Sequence, residues 1–466
     1  MASTNVLLEQ ARSIAPTIDR AIRICGDLTL NDYIKRFSLP RITPIQPAED
    51  FLQLALEYNE DQAGFSAALE LDRILRFPLL NTANHHGVDY FPPSVQGNLL
   101  FWKALSAQGV RAKVLPVCYF GMVSLSNSSY ARGLTSNASS EGLIRVPIYP
   151  EDDRNKMVRY VKAFTRDQIH RAIKRTKKNL EEGAAKQDLL RALEVYYLDE
   201  QVLSMDRYGD QAVLINRLIS RDMFPQGDIP EIVSMEMEHI FKRLLLLDLE
   251  NEDSLIYRLL YDPRLSEQVM FFWGVDQSHR RYMLEFGKDR VLRGTTMAGE
   301  TVILPAGPKE LAGLVEREEV LAAAYTMAVL LCFARGYTWV GGYFQGDYLP
   351  EWQQLTIDSL SKIEEYCGWA EQISQLECSG YLSGPLFALI RSRDGGLAPA
   401  GPLEIIRRGG LTDHRLEELM DATVLEAHVM GLSGSYPDLV RSELRQPQWR
   451  SLLCNQLNQS YERFIL

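Results

Sequence analysis

Two short apolar runs, each ending in a polar loop and joined by a helical stretch, constrain this chain more than any other feature. The run at 74–80 leads into N-T-A-N-H-H-G at 81–87, and the run at 113–120 leads into a Ser- and Asn-rich segment at 121–133. β-Branched and aromatic residues suit the second run to a strand, and Gly87 permits a turn that other residues resist. Between the runs, Pro92 and Pro93 bar a helix directly before them, and Ser94 is a good helix cap. Leu99, Leu100, Trp102, Ala104 and Leu105 then recur at helical spacing. Strand, loop, helix, strand, loop predicts a β-α-β unit over residues 74–125. Ligands of open parallel sheets lie beyond the carboxyl ends of the strands, so both polar loops are expected to face one cleft.

The rest of the chain is mostly helical in pattern. Residues 156–182, 186–203, 211–221 and 230–249 combine Ala, Leu, Glu, Lys and Arg at helical periodicity. Residues 285–304, with Gly294, Thr295, Thr296 and Gly299 between apolar ends, read as a hairpin, and 310–335 as a helical region with a buried centre. Residues 336–352 hold the densest cluster of glycines and aromatics. The predicted fold class is mixed, helix-rich α/β: a site-bearing part at 1–150, a mainly helical subdomain or insertion at 151–283, and a helix-rich part at 284–466 that completes the core.

A net charge of -11 argues against a nucleic-acid or anionic-membrane binder, which needs a basic footprint. The longest apolar run, 320–333, falls short of the roughly 20 residues that span a bilayer. Six cysteines without a C-x-x-C pair, most of them in apolar stretches, suit buried thiols in a reducing compartment, and a cytoplasmic location is expected.

Chemistry is expected first at His85 and His86, because imidazole alone titrates unperturbed near neutral pH. Either can act as acid or base, with Asp89 beside them as a third catalytic candidate. A divalent metal ion is the cofactor such a pair admits, with further ligands needed from elsewhere. Gln96, Asn98, Asn127, Ser128, Tyr130 and Arg132 are candidate substrate-binding groups, Arg132 offering a planar bidentate grip on a carboxylate or phosphate. Gln345 and Asp347 would orient a ligand against the aromatics between Gly341 and Tyr348.

Three carboxylate-x-x-His pairs occur. Asp167 with His170 and Glu236 with His239 fall on polar helix faces and read as solvated, whereas Asp276 with His279 interrupts an apolar run and stays a secondary candidate. Cys118 reads as a buried thiol.

His85-x-x-x-Asp89 resembles the H-x-x-x-D motif of CoA-dependent acyltransferases and peptide-synthesis condensation domains, where a histidine deprotonates the nucleophile. The resemblance implies acyl transfer as one alternative. Tyr90 stands where those families carry glycine, and no D-F-G-W-G follows near the C-terminus.

The expected function is an enzyme acting on a small carboxylate- or phosphate-bearing metabolite by histidine acid-base or metal-assisted chemistry. The other alternative is a non-catalytic scaffold whose basic helix strip, including Arg171, Lys174 and Lys178, docks a partner.

Overall fold

A computed structural model describes the chain except residues 1, 38–42, 64, 85–86, 128–129, 138–142, 266–269 and 393–394, and except the side chains of 2–5, 60–63, 65–69 and 270–271. Its centre is a sheet of five strands: β1 (Leu79–Asn84), β2 (Val114–Tyr119), β3 (Glu231–Glu236), β4 (Thr338–Gly342) and β5 (Ser379–Ser383). They lie in the order β5-β4-β1-β2-β3 and every neighbouring pair is parallel. The chain moves outward from β1 to β2 and β3, then returns to the other side of β1 for β4 and β5. That reversal is the topological switch of a doubly wound sheet. The loop after β1 nonetheless reads N-H-H-G-V-D-Y, without the G-x-G-x-x-G that cradles a dinucleotide pyrophosphate.

Side-chain alternation shows that both faces are covered. Leu79, Val117, Ile232 and Val340 join one core, while Leu80, Cys118, Met235 and Trp339, each an odd number of positions away on the same strand, join the other. On the first face lie α2 (Pro92–Ala107) and α3 (Tyr208–Met223); on the second lie α1 (Glu49–Ala63) and α4 (Met237–Glu250). Every residue of α2 from Pro92 to Leu105 is buried. Each of its large apolar side chains contributes about 2–3 kcal/mol by leaving water.

The expected β-α-β unit is present as β1, α2 and β2, with shifted boundaries. Ile74 and Leu75, expected in the strand run, end the helix Phe65–Leu75, and Asn81–Asn84, expected as loop, complete β1. Their polar side chains tolerate the sheet because flanking elements satisfy them: Asn81 Nδ2 donates to Asn98 Oδ1 (2.7 Å), and the Thr82 hydroxyl to Gln345 Oε1 (2.8 Å). Pro92 and Pro93 sit inside the first turn of α2, where a missing N–H costs nothing, so Ser94 is not the cap.

Residues 230–249 do not form one helix. Glu231–Glu236 is strand and the helix starts at Met237, because β2 is within reach to pair with the β-branched run after Pro230. Likewise 156–165 is not helical throughout: Val158–Tyr160 forms a 3-10 turn, and the helix Arg166–Asn179 begins at the Thr165–Gln168 capping box.

A second sheet, antiparallel, is built from Met270–Val275, Arg281–Phe286, Val291–Thr295, Thr301–Pro305 and Val320–Ala322. It contains the expected hairpin, turning at Gly299 with φ 85°. Residues 310–335 divide into helix, strand Val320–Ala322, helix and a π turn at Val329–Phe333, and their centre is buried as expected. Among the described residues no helix is long and apolar enough to cross a membrane.

Candidate active site

Because β1 and β2 are parallel neighbours, the loops that follow them leave the same edge of the sheet, as the sequence predicts. His85, His86 and Ser128 lie outside the described residues, and with them the expected metal pair. Among the described residues no three His, Cys, Asp or Glu side chains are grouped to hold a metal ion.

Most of the other expected binding groups are engaged in holding the fold. Gln96 uses its whole amide: Oε1 accepts from the N–H groups of Phe387 and Ala388, and Nε2 donates to the carbonyls of Ala388 and Ala400. Asn98 is bonded to Asn81. Asn127 Oδ1 accepts the Tyr130 N–H (2.8 Å) in a local turn, and the Tyr130 ring lies against Phe91, centroids 5.7 Å apart. Arg132 donates to the Tyr149 carbonyl (2.7 Å) and to Glu151. Asp347 accepts the Thr17 N–H (2.7 Å) at the start of the helix Pro16–Cys25.

Gln345 differs, because its Nε2 is buried without a hydrogen-bond partner among the described residues. Gly341 permits its approach, since a Cβ there would stand 2.3 Å from Gln345 Oε1.

Asp89 anchors the chain just after the residue 85–86 loop. Its Oδ1 accepts the Phe91 N–H (3.0 Å) and its Oδ2 the Ser94 hydroxyl (2.7 Å), which also touches Asn84. Asn216 of α3 clamps the same turn: its Oδ1 accepts the Asp89 N–H (3.0 Å) and its Nδ2 donates to the Gly87 carbonyl (2.9 Å). Burial pushes the Asp89 carboxyl up to about 6.

A cluster of buried ionisable groups that no sequence motif marks lies at the carboxyl ends of β2 and β3. Asn84, Tyr119 and Glu236 form the last register row of β1, β2 and β3. Glu236 is only 1% exposed, not on a solvated helix face as expected, although His239 is exposed. Glu238, in the first turn of α4, accepts the Met122 N–H on Oε1 (2.7 Å). Arg159 reaches the same place because the loop after β2 zips against 156–159. Leu125, Val158 and Arg159 donate their N–H groups to the carbonyls of Lys156, Val123 and Gly121. Gly121 has only backbone there because its Cβ would stand 3.1 Å from Arg159 Cβ.

The charges form one network. Arg159 Nη2 donates to Glu318 Oε1 (3.1 Å) while its Nε stands 3.9 Å from Glu236 Oε1. Lys242 donates to the same Glu318 oxygen (3.1 Å), and Arg207 joins Asp210 (2.6 Å) to Glu236 Oε2 (3.3 Å). Five polar atoms remain without hydrogen-bond partners among the described residues: Tyr119 Oη, Arg159 Nε and Nη1, Glu236 Oε1 and Glu238 Oε2. Burial, and secondly the charge of Glu236, pushes the Glu238 carboxyl up to about 7. The same two causes raise the Tyr119 phenol well above its ordinary range. A carboxyl poised near neutrality beside a guanidinium with unmet donors is equipped to exchange a proton and to hold an acceptor oxygen.

The remaining candidates fall outside this constellation or at its rim. Asp276 accepts the Ser278 and Arg280 N–H groups in a hairpin turn (both 2.8 Å), and exposed His279 stacks on Tyr160 at 5.0 Å. Asp167 and His170 are exposed, as expected. Cys118 is fully buried, which raises its thiol far above the range of a nucleophile. No protein family, curated protein or solved structure matches this chain.

Proposed function

We propose that the protein is an enzyme acting on a small polar molecule by acid-base chemistry at the carboxyl edge of its parallel sheet. Glu238 exchanges the proton, Arg159 and Tyr119 hold an oxygen of the substrate, and Glu236 with Arg207 and Glu318 fixes the Arg159 guanidinium. The observation that carries this reading is the set of buried atoms on Tyr119, Arg159, Glu236 and Glu238 without a hydrogen-bond partner among the described residues. A buried polar atom left unpaired costs roughly 1–3 kcal/mol, and such costs persist where a ligand repays them. Their place beyond the carboxyl ends of parallel strands is where open α/β sheets hold ligands. His85 and His86, which follow the last residue of β1, are retained as the second proton-transfer group.

The test needs no prior substrate. Wild-type protein and the Glu238→Gln and His85→Ala/His86→Ala variants are each incubated with a small-molecule extract, and consumption is followed by mass spectrometry. Wild type is expected to deplete a compound that Glu238→Gln depletes about 100-fold more slowly or worse. Equal depletion by Glu238→Gln removes Glu238 from the chemistry.

A further inference from the structure

We infer that this site takes a small zwitterion of the α-amino-acid class, its carboxylate on the Arg159 guanidinium and its ammonium between the Glu236 and Glu238 carboxylates. The inference rests on the cluster being the active site and goes beyond it by naming the ligand.

The unmet groups divide by chemistry. Arg159 Nε and Nη1 can only donate, carboxylate oxygens such as Glu236 Oε1, and Glu238 Oε2 once its proton has left, can only accept, and the Tyr119 hydroxyl can do either. A carboxylate only accepts and an ammonium only donates, so an α-amino acid matches them in kind. Both sets of bonds would be charge-assisted, roughly twice as strong as neutral ones.

Charge balance narrows the class. The cations Arg159, Arg207, Lys242 and Arg281 face the anions Asp210, Glu236, Glu238 and Glu318 through direct pairs and through the influence of Glu238 on Arg281. Once Glu238 has given up its proton, four charges of each sign leave no surplus to hold the two negative charges of a phosphate group. A ligand without net charge is accepted with no unpaired charge left buried. Neutral hydroxyl compounds fit the charge balance too, but in each of their bonds only the protein partner is charged.

The experiment is calorimetric titration of the full chain with each protein amino acid singly, with inorganic phosphate and glucose as comparison probes. It uses wild type and the Arg159→Met, Arg159→Lys and Glu236→Gln variants, each first shown to be folded by circular dichroism. At least one amino acid is expected to bind wild type saturably. Affinity should fall about tenfold or more in Arg159→Met and Glu236→Gln, the size of one lost charge-assisted bond, and recover in part in Arg159→Lys. Binding of phosphate or glucose that depends on Arg159 overturns the zwitterion while leaving the site in place. Amino-acid binding that is equal in wild type and all variants overturns the site itself. No binding by any amino acid also overturns the zwitterion, and the Glu238→Gln depletion experiment then judges the site separately.

Discussion

Tyr119 and Glu236 face each other at the final register position of two adjacent parallel strands, both side chains at most 1% exposed. Parallel neighbours run about 5 Å apart, so this pairing brings a phenol and a carboxylate together where the sheet ends and its loops begin. Asn84, the register partner of Tyr119 on β1, puts the start of the His85–His86 loop in the same row.

Gly209, near the start of α3, is the backbone that packs over this pair. A Cβ there would stand 2.9 Å from the Tyr119 hydroxyl and 3.8 Å from Glu236 Oε2. Gly209→Ala gains about 1 kcal/mol of helix propensity but displaces the phenol. The expected outcome is urea stability within about 1 kcal/mol of wild type together with a large loss of turnover. Unchanged turnover would show that the phenol position is irrelevant.

Glu238 links the site to stability. Its carboxyl is raised from 4.5 to about 7, so between those pH values the folded protein keeps a proton that the unfolded chain releases. Stability therefore falls as pH rises through this window and levels off above it, by a total of up to about 3 kcal/mol. Glu238→Gln cannot ionise. Relative to wild type, the variant should gain stability from pH 5 to pH 8 in urea unfolding, and parallel profiles would refute the raised carboxyl.

Asp89 is expected to behave as a fastening residue. Asp89→Ala strips the acceptor from the Phe91 N–H and from Ser94, a cost of about 1–3 kcal/mol for groups left buried. Asp89→Asn keeps an acceptor and should cost less. Equal losses in chemical denaturation would mean that charge, rather than hydrogen bonding, holds the turn.

The β-α-β unit was legible because its signals are local: proline punctuation, a glycine in the loop, and apolar periodicity in α2. What escaped depends on partners distant in sequence. Asn81 and Thr82 look like loop residues until Asn98 and Gln345 are there to bond them. Helical periodicity over 230–249 puts Glu236 on a solvated helix face, although Pro230 followed by Ile232, Val233 and Met235 carries a strand signal. Arg159 was hidden for a similar reason. Nothing in its neighbourhood shows that the loop after β2 zips along 156–159 and buries the guanidinium beside three carboxylates from two distant segments. By contrast Arg132, conspicuous in sequence, is paired within its own hairpin region.

The central claim is that a buried glutamate at the carboxyl edge is poised to exchange a proton near neutral pH. The most direct measurement is a carbon-13 NMR titration of protein labelled at glutamate side-chain carboxyls, wild type against Glu238→Gln. The account predicts one resonance titrating near pH 7 that is missing from the variant. If every glutamate in wild type has titrated below about pH 5.5, within the ordinary range for exposed carboxyls, or if the resonance near pH 7 persists in Glu238→Gln, the account is contradicted.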